Sequence, residues 1–320
     1  MKAVQLLAPR RMDIVNVPEP TRARGQILVR MEHVSVCGSD LHRYRGRPPC
    51  DPFPMAPGKP AHECLGRVVR SDGAGGFREG EIVLVRPPLA DGLKELVAVG
   101  PADLHPTEGF TLSPEEALMG QLLAPVVHCC KRLGPVRGKS VFIIGQGPAG
   151  LMLTNMMKLG GAKLIVTSDP VADRLRESLR RGASHVMEPS PGILAQAAEL
   201  TGSRMFDIVI EAVGEDETIS LAPRLAKDRG LVMFFGLPGL TAQLALREFF
   251  SKQLRITTTE FPDRSDFNRA LAMISNREIE VASMITHRFP FHRAPEAFRL
   301  ADERSDGILR AVLTFEPSEK

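Results

Sequence analysis

The stretch Ser140-Val-Phe-Ile-Ile-Gly-Gln-Gly-Pro-Ala-Gly150 decides the fold. Its first five residues form an apolar run of strand length, and G-x-G-x-x-G follows directly. The glycines then open an apolar helical pattern over Leu151–Leu159. Strand, glycine turn and helix in this order are the context a dinucleotide-binding turn requires. Gly145 permits the tight turn, Gly147 lets the backbone approach a pyrophosphate, and Gly150 lets helix and strand pack closely. The N–H groups at the helix start point at the anion, and the helix dipole favours it. Pro148 has no N–H, so Ala149 and Gly150 are the expected donors. A second strand, Lys163–Thr167, ends just before Asp169, whose carboxylate can accept the adenosine ribose hydroxyls and would repel a 2′-phosphate. This favours NAD over NADP, while Arg174 leaves open a residue that could instead receive that phosphate.

Outward from this turn the chain alternates strand and helix. Phe206–Ile210 and Leu231–Phe235 are further apolar strand-length runs, with helical segments such as Ala172–Arg181 between them. Continuously apolar strands alternating with helices predict a parallel sheet covered on both faces. The first 120 residues differ. Gln26–Val36, Cys64–Arg70 and Glu81–Val85 read as short β-segments, separated by the Pro-rich stretches Pro48-Pro49, Pro52 to Pro60 and Pro87-Pro88. Short strands with long irregular connections predict a barrel-like β domain that carries chemistry on its loops. Ser113-Pro114-Glu115-Glu116 marks a helix start where the two patterns meet. From about Arg264 the tail gives a helix and a final strand, Ile308–Phe315.

The 320 residues suggest two domains, and 43% apolar with 25% charged residues describes a globular chain. Lys plus Arg, 41, exceed Asp plus Glu, 38, by only three, so neither nucleic acid nor an anionic membrane is an expected partner. The bases Arg43, Arg45 and Arg47 cluster, and such clusters are most often a solvated face. No apolar run is long enough to span a bilayer, and the first residues, too soon charged, do not read as a signal peptide. Five cysteines, an odd number, do not make a secreted disulfide framework. The expected location is the cytoplasm.

A second constellation is Cys37-Gly-Ser-Asp-Leu-His42 followed by His62-Glu63. A thiolate, an imidazole and a carboxylate supplied from two loops suit Zn²⁺. Cys37, His62 and Glu63 are candidate ligands, and Asp40 is a candidate carboxylate to orient the ligand histidine. The same residues also admit a structural reading, with Cys37 a small buried hydrophobe and His62 a satisfied core histidine.

With these motifs in view the chain resembles the zinc-containing medium-chain alcohol and polyol dehydrogenases, over essentially its whole length. Cys37-Gly-Ser-Asp-Leu-His42 and Pro60-Ala-His62-Glu63-Cys-Leu-Gly-Arg-Val-Val69 are the early markers. Pro101-Ala-Asp-Leu-His-Pro106, the glycine turn, Gly182-Ala-Ser-His-Val186, Phe206-Asp-Ile-Val-Ile-Glu-Ala-Val-Gly214 and Phe235-Gly-Leu-Pro-Gly239 follow. Ile285-Thr-His-Arg-Phe-Pro290 and Leu309-Arg-Ala-Val-Leu-Thr-Phe315 close the series. The resemblance implies an α/β chain: a GroES-like β-barrel catalytic domain (1–120 and 271–320) around a Rossmann doubly wound parallel-sheet domain (121–270). It implies Cys37 and His62 as zinc ligands with Glu63 the adjacent acid, Ser39 as the hydroxyl that takes the substrate alcohol's proton, and His42 as the relay. Arg310 falls on an arginine that in relatives helps bind the cofactor pyrophosphate and steadies the position of Asp40. Homodimers or homotetramers are implied as well.

Two departures modify the expectation. Where the family holds Cys or Glu, twenty-four residues before Gly145, this chain has Gln121, a weak ligand at best. The four-cysteine lobe of structural zinc is replaced by the direct bridge Arg86-Pro-Pro-Leu-Ala-Asp-Gly-Leu93, so one catalytic zinc per chain is expected and no structural zinc. The activity implied is reversible oxidation of a secondary alcohol, in a polyol, amino alcohol or similar small polar molecule, with NAD. The alternatives are a zinc-free NADPH-dependent quinone or enone reductase of the same superfamily, and a catalytically silent nucleotide-binding redox sensor.

Overall fold

The computed structural model describes residues 1–259 and 262–316. Its contacts divide the chain into two units, Met1–Leu122 with Phe267–Lys320, and Leu123–Asp266. The contact units divide at 122/123 and 266/267, beside the expected domain borders at 120/121 and 270/271. Each crossing lies inside a helix, Pro114–Leu133 and Arg264–Ser275, rather than in a linker that composition could mark.

In the first unit β1 (Lys2–Ala8) and β2 (Arg11–Asn16) pair as an antiparallel hairpin. β3 (Ile27–Ser35) turns Ile27, Val29 and Met31 to the core and Leu28, Arg30 and Glu32 away, the period-2 pattern of a strand with one buried face. Helix α1 (Gly38–Tyr44) follows at once, then β4 (Cys64–Arg70), β5 (Ile82–Val85), β6 (Leu96–Val99) and β7 (Leu104–Pro106). Helix α2 (Pro114–Leu133) opens as expected: Ser113 Oγ accepts the Glu116 N–H, and Glu116 accepts the Ser113 N–H in return.

The second unit runs β8 (Ser140–Ile144), α3 (Pro148–Leu159), β9 (Leu164–Ser168), α4 (Ala172–Arg180), β10 (His185–Met187), α5 (Ile193–Thr201), β11 (Phe206–Glu211), α6 (Asp216–Leu225), β12 (Ala226–Phe234), α7 (Leu246–Lys252) and β13 (Arg255–Thr258). All six strands are parallel, in the order β10-β9-β8-β11-β12-β13. This is the doubly wound order, with its switch point between β8 and β11, where nucleotides bind at the carboxyl ends of the strands. Val141, Phe142 and Ile143 are fully buried, as β8 lies inside this sheet.

The tail supplies α8 (Arg264–Ser275), β14 (His287–Pro290), α9 (Ala294–Glu303) and β15 (Ala311–Thr314). β15 pairs antiparallel with β3, completing a seven-stranded sheet of order β14-β15-β3-β4-β5-β7, with β6 also on β3. The final strand is shorter than the expected Ile308–Phe315, and Arg310 immediately precedes it. Among the described residues no helix is long and apolar enough to cross a membrane.

Candidate functional site

β3 and β4 run antiparallel with Val34 opposite Cys64, and the Ser35 N–H donates to the Glu63 carbonyl at 3.0 Å. The residues just after β3 and just before β4 must therefore meet, which brings Cys37 to His62 and Glu63. Their donor atoms lie within 4.8 Å of one another. Cys37 is the N-cap of α1, in extended conformation. Asp40, fully buried, holds both halves of the cluster: one oxygen accepts the Cys37 N–H at 3.0 Å, and the other lies 2.8 Å from His62 Nδ1. With Nδ1 committed to the carboxylate, Nε2 remains for a metal, and the tautomer is set.

The charges of Cys37 and His62 reinforce one another. Burial by itself would raise the Cys37 thiol, but the hydrogen bond and charge of His62, with Arg310 nearby, bring it down to about 6. Burial would lower His62, and the Asp40 carboxylate, with a further contribution from Cys37, carries it up to about 10. A divalent cation would take the place of the proton such a thiolate–imidazolium pair shares. Sulfur, nitrogen and oxygen donors at this separation fit Zn²⁺.

Ser39 Oγ donates to Cys37 Sγ at 3.3 Å, so the hydroxyl lies against the cluster. His42 stands three residues further along α1, on the same helical face as Ser39.

Two expectations change in detail. Arg310 pairs with Glu63 rather than with Asp40. It is buried in an ion pair with Glu63 Oε2, and its Nη2 also donates to Ser35 Oγ at 2.9 Å. Gln121 gives its amide nitrogen to the main-chain carbonyls of Cys64 (3.0 Å) and Val85 (2.8 Å), bracing β4 and β5 against α2. Two carbonyl acceptors fix which way the amide faces, and only Oε1 is left for any other role. Ser35, one per cent exposed, carries no motif that marks it in the sequence. It sits two residues before Cys37, and pairing β3 with β4 is the step that would have found it.

In the second unit α3 starts at Pro148 with Gly147 as N-cap, and no side chain caps it. A Cβ at Gly150 would lie 2.0 Å from the Gly145 carbonyl oxygen, so this position admits only glycine. A Cβ at Gly147 would meet nothing within 4 Å, so the protein itself does not require glycine there. The open space beside uncapped helix N–H groups fits a pyrophosphate. Asp169 immediately follows β9 and is buried; its Oδ2 accepts the Gln146 N–H at 2.7 Å and its Oδ1 the Val171 N–H at 2.9 Å. It thereby ties the glycine turn to the end of the second strand, while each oxygen keeps a further lone pair. Arg174 Nη1 lies 3.9 Å from Oδ2.

The Alcohol dehydrogenase GroES-like domain model matches residues 23–111, and the Zinc-binding dehydrogenase model matches residues 148–276. The chain belongs to the zinc-containing medium-chain alcohol and polyol dehydrogenase family. It is an oxidoreductase of this family, and its sheet orders are those of a GroES-like domain and a Rossmann domain. Among curated relatives, the sorbitol dehydrogenase of Ovis aries is 26% identical over 348 residues, covering 98% of this chain and 96% of the relative. The zinc dependent alcohol dehydrogenase 2 of Streptococcus pneumonia, in its apo form, superposes with a TM-score of 0.87 at 24% identity, covering all of both chains. A protein from Sinorhizobium meliloti 1021, described as a zinc-binding dehydrogenase and solved bound to NADP, gives 0.82 at 24% identity over 98% of each chain.

Proposed function

We propose that the protein oxidises a secondary alcohol in a small polar molecule, a polyol or amino alcohol, reversibly and with NAD. The observation that carries this reading is the Cys37–His62–Glu63 cluster with Asp40 behind its histidine. The sorbitol dehydrogenase relative points to the same substrate class. Zinc, when bound by Cys37, His62 and Glu63, supplies a Lewis acid that lowers the pKa of the substrate hydroxyl. NAD, when bound at the turn Gly145–Gly150, supplies the hydride acceptor.

The chain's own residues do the rest. Ser39, against Cys37, accepts the hydroxyl proton and passes it toward His42. Asp40 keeps His62 oriented with Nδ1 engaged. Ala149 and Gly150 present main-chain N–H groups to the pyrophosphate, and Pro148 fixes the start of α3. Asp169 favours an unmodified ribose by its charge, and Arg174 sits close enough to modulate that preference. Arg310, the last of the cofactor-binding candidates, reaches the site through Glu63. Gln121 is a structural brace beside the site.

We also assign a homodimer or homotetramer formed through the Rossmann unit. Among the described residues β13 is an open edge of the parallel sheet, and Leu240, Leu246 and Phe250 beside it in sequence are 72%, 71% and 88% exposed. Apolar side chains exposed this fully next to an unpaired strand edge suit a second copy of the chain. The five cysteines, all free thiols, are consistent with the cytoplasm.

Elemental analysis of the purified protein, an NAD-against-NADP titration, and a screen of polyols and amino alcohols read by the absorbance of reduced cofactor test the proposal together. One zinc per chain, tighter NAD binding and turnover of a secondary alcohol are the expected results. Zinc-free protein that reduces an enone with NADPH would overturn it.

A further inference from the structure

The cluster's two ring and carboxylate donors are held in different ways. His62 is oriented by one buried carboxylate, Asp40. Glu63 is oriented by a hydroxyl and a guanidinium that arrive from opposite ends of the chain. Ser35 Oγ donates to Glu63 Oε2 at 2.5 Å, Arg310 Nη2 pairs with the same oxygen, and Arg310 Nη2 also donates to Ser35 Oγ at 2.9 Å. All three side chains are buried, at 1%, 4% and 3% exposure for Ser35, Glu63 and Arg310. Both donors converge on Oε2, and among the described residues Oε1 receives no hydrogen bond.

From this asymmetry we propose that Ser35 is a positioning residue for metal binding: with Arg310 it occupies Glu63 Oε2 and leaves Oε1 as the single ligating oxygen. The inference rests on the zinc reading above and adds a residue to it. A carboxylate free at both oxygens can grip a cation in a bidentate fashion, raising the coordination number and using a position that a substrate hydroxyl needs. A carboxylate pinned at one oxygen cannot do so without giving up two buried hydrogen bonds. Ser35 can pin it because β3 and β4 pair at this point: the Ser35 N–H holds the Glu63 main chain while the Ser35 hydroxyl holds its side chain. Outer hydrogen-bond partners of metal ligands commonly alter metal affinity by about 10–100-fold when removed.

The test uses the full-length protein and variants Ser35→Ala, Ser35→Thr and Cys37→Ser. Zinc affinity is measured by competition with a chromogenic chelator, and coordination by the visible absorption of the Co²⁺-substituted protein. Ser35→Ala keeps the Arg310–Glu63 pair and should fold. It should bind zinc about tenfold more weakly, and its Co²⁺ bands should lose intensity as the metal moves from four toward five ligands. Ser35→Thr, which retains the hydroxyl, should restore both readouts. If Ser35→Ala matches the parent protein in affinity and Co²⁺ spectrum while Cys37→Ser loses the metal, the positioning role is wrong and the zinc site stands. If the parent protein binds zinc no better than Cys37→Ser, the zinc reading fails and the role of Ser35 falls with it.

Discussion

The two candidate sites are made of opposite materials. The nucleotide turn at Gly145–Gly150 is built from backbone and from missing side chains: Gly150 because a Cβ would strike a carbonyl, Gly147 because nothing fills the space. The metal-type cluster is built from side chains, drawn from the end of β3, from α1, from the residue pair before β4, and from Arg310 ahead of β15. A backbone site fits within six consecutive residues, whereas a side-chain site must be assembled by strand pairing. Substitutions should therefore act on the first through sterics and on the second through lost donors.

The largest effect expected is in the side-chain site. Cys37→Ser should lose the metal and drop dehydrogenase activity to background, with NAD affinity nearly unchanged. Cys37 is the N-cap of α1, and serine is a favoured residue there, so the helix and the melting temperature should survive. Loss of NAD binding together with activity would show that the two sites are not separable in this way.

The backbone site should split between its glycines. Gly150→Ala forces a Cβ to 2.0 Å from the Gly145 oxygen, which is main chain and cannot rotate aside. A loss of about 3 kcal/mol is expected in urea unfolding, the upper end for overpacking. Gly147→Ala should leave the stability of cofactor-free protein within about 0.5 kcal/mol and yet weaken NAD, because the methyl occupies the space a pyrophosphate needs. Equal destabilisation by both variants would mean that Gly147 is a folding residue after all.

The same contrast explains what could be read in the sequence. The Rossmann half was legible because strand, turn and helix are adjacent, and because buried parallel strands are continuously apolar; Ser140–Ile144 was placed to the residue. Cys37, His62 and Glu63 were legible as donor types, but their meeting depends on the β3–β4 register, which no local pattern states. The resemblance relates Arg310 to the pyrophosphate and to Asp40, whereas its ion pair is with Glu63; 247 residues separate the two, and only the β15–β3 pairing fixes where Arg310 lands. β14 and α9 were missed: β14 is four residues long, and α9 alternates charged and apolar residues in a short amphipathic run. Continuous helices cross both unit borders, so no local composition marks them.

Asp169 lies between the two kinds of site, a side chain that serves a backbone turn. Its carboxylate accepts the Gln146 and Val171 N–H groups before any ribose arrives. Asp169→Ala should therefore do two things: weaken NAD while relaxing discrimination against NADP, and destabilise the cofactor-free protein by about 1–2 kcal/mol through the buried Gln146 N–H and the half-buried Val171 N–H left without their acceptor. Calorimetry of the cofactor-free variant separates these. A change in cofactor preference with no loss of stability would mean that the turn holds itself.

The smallest effect concerns a side chain in the Rossmann unit that lies away from the nucleotide. Asp207, near the start of β11, accepts the N–H and hydroxyl of Ser140 at the start of β8 and pairs with Lys227, so it joins the amino ends of two adjacent parallel strands. Burial alone would raise its carboxyl, but the Lys227 and Ser140 donors prevail and hold it at about 2. A carboxylate whose folded pKa is depressed contributes its stability in full above the unfolded value, about 3.9, and loses it as pH falls toward the folded value. Asp207→Asn should therefore be less stable than the parent by about 1 kcal/mol near neutrality, since solvent screens the half-exposed pair with Lys227, with the gap constant above about pH 5 and closing between pH 4 and 2. Urea midpoints measured across that range check it. NAD affinity should not change, because Asp207 sits at the opposite end of the sheet from the glycine turn. A shift in NAD affinity would show that stability and nucleotide binding are coupled along the length of the strands, and the division between a side-chain site and a backbone site would then need redrawing within this one unit.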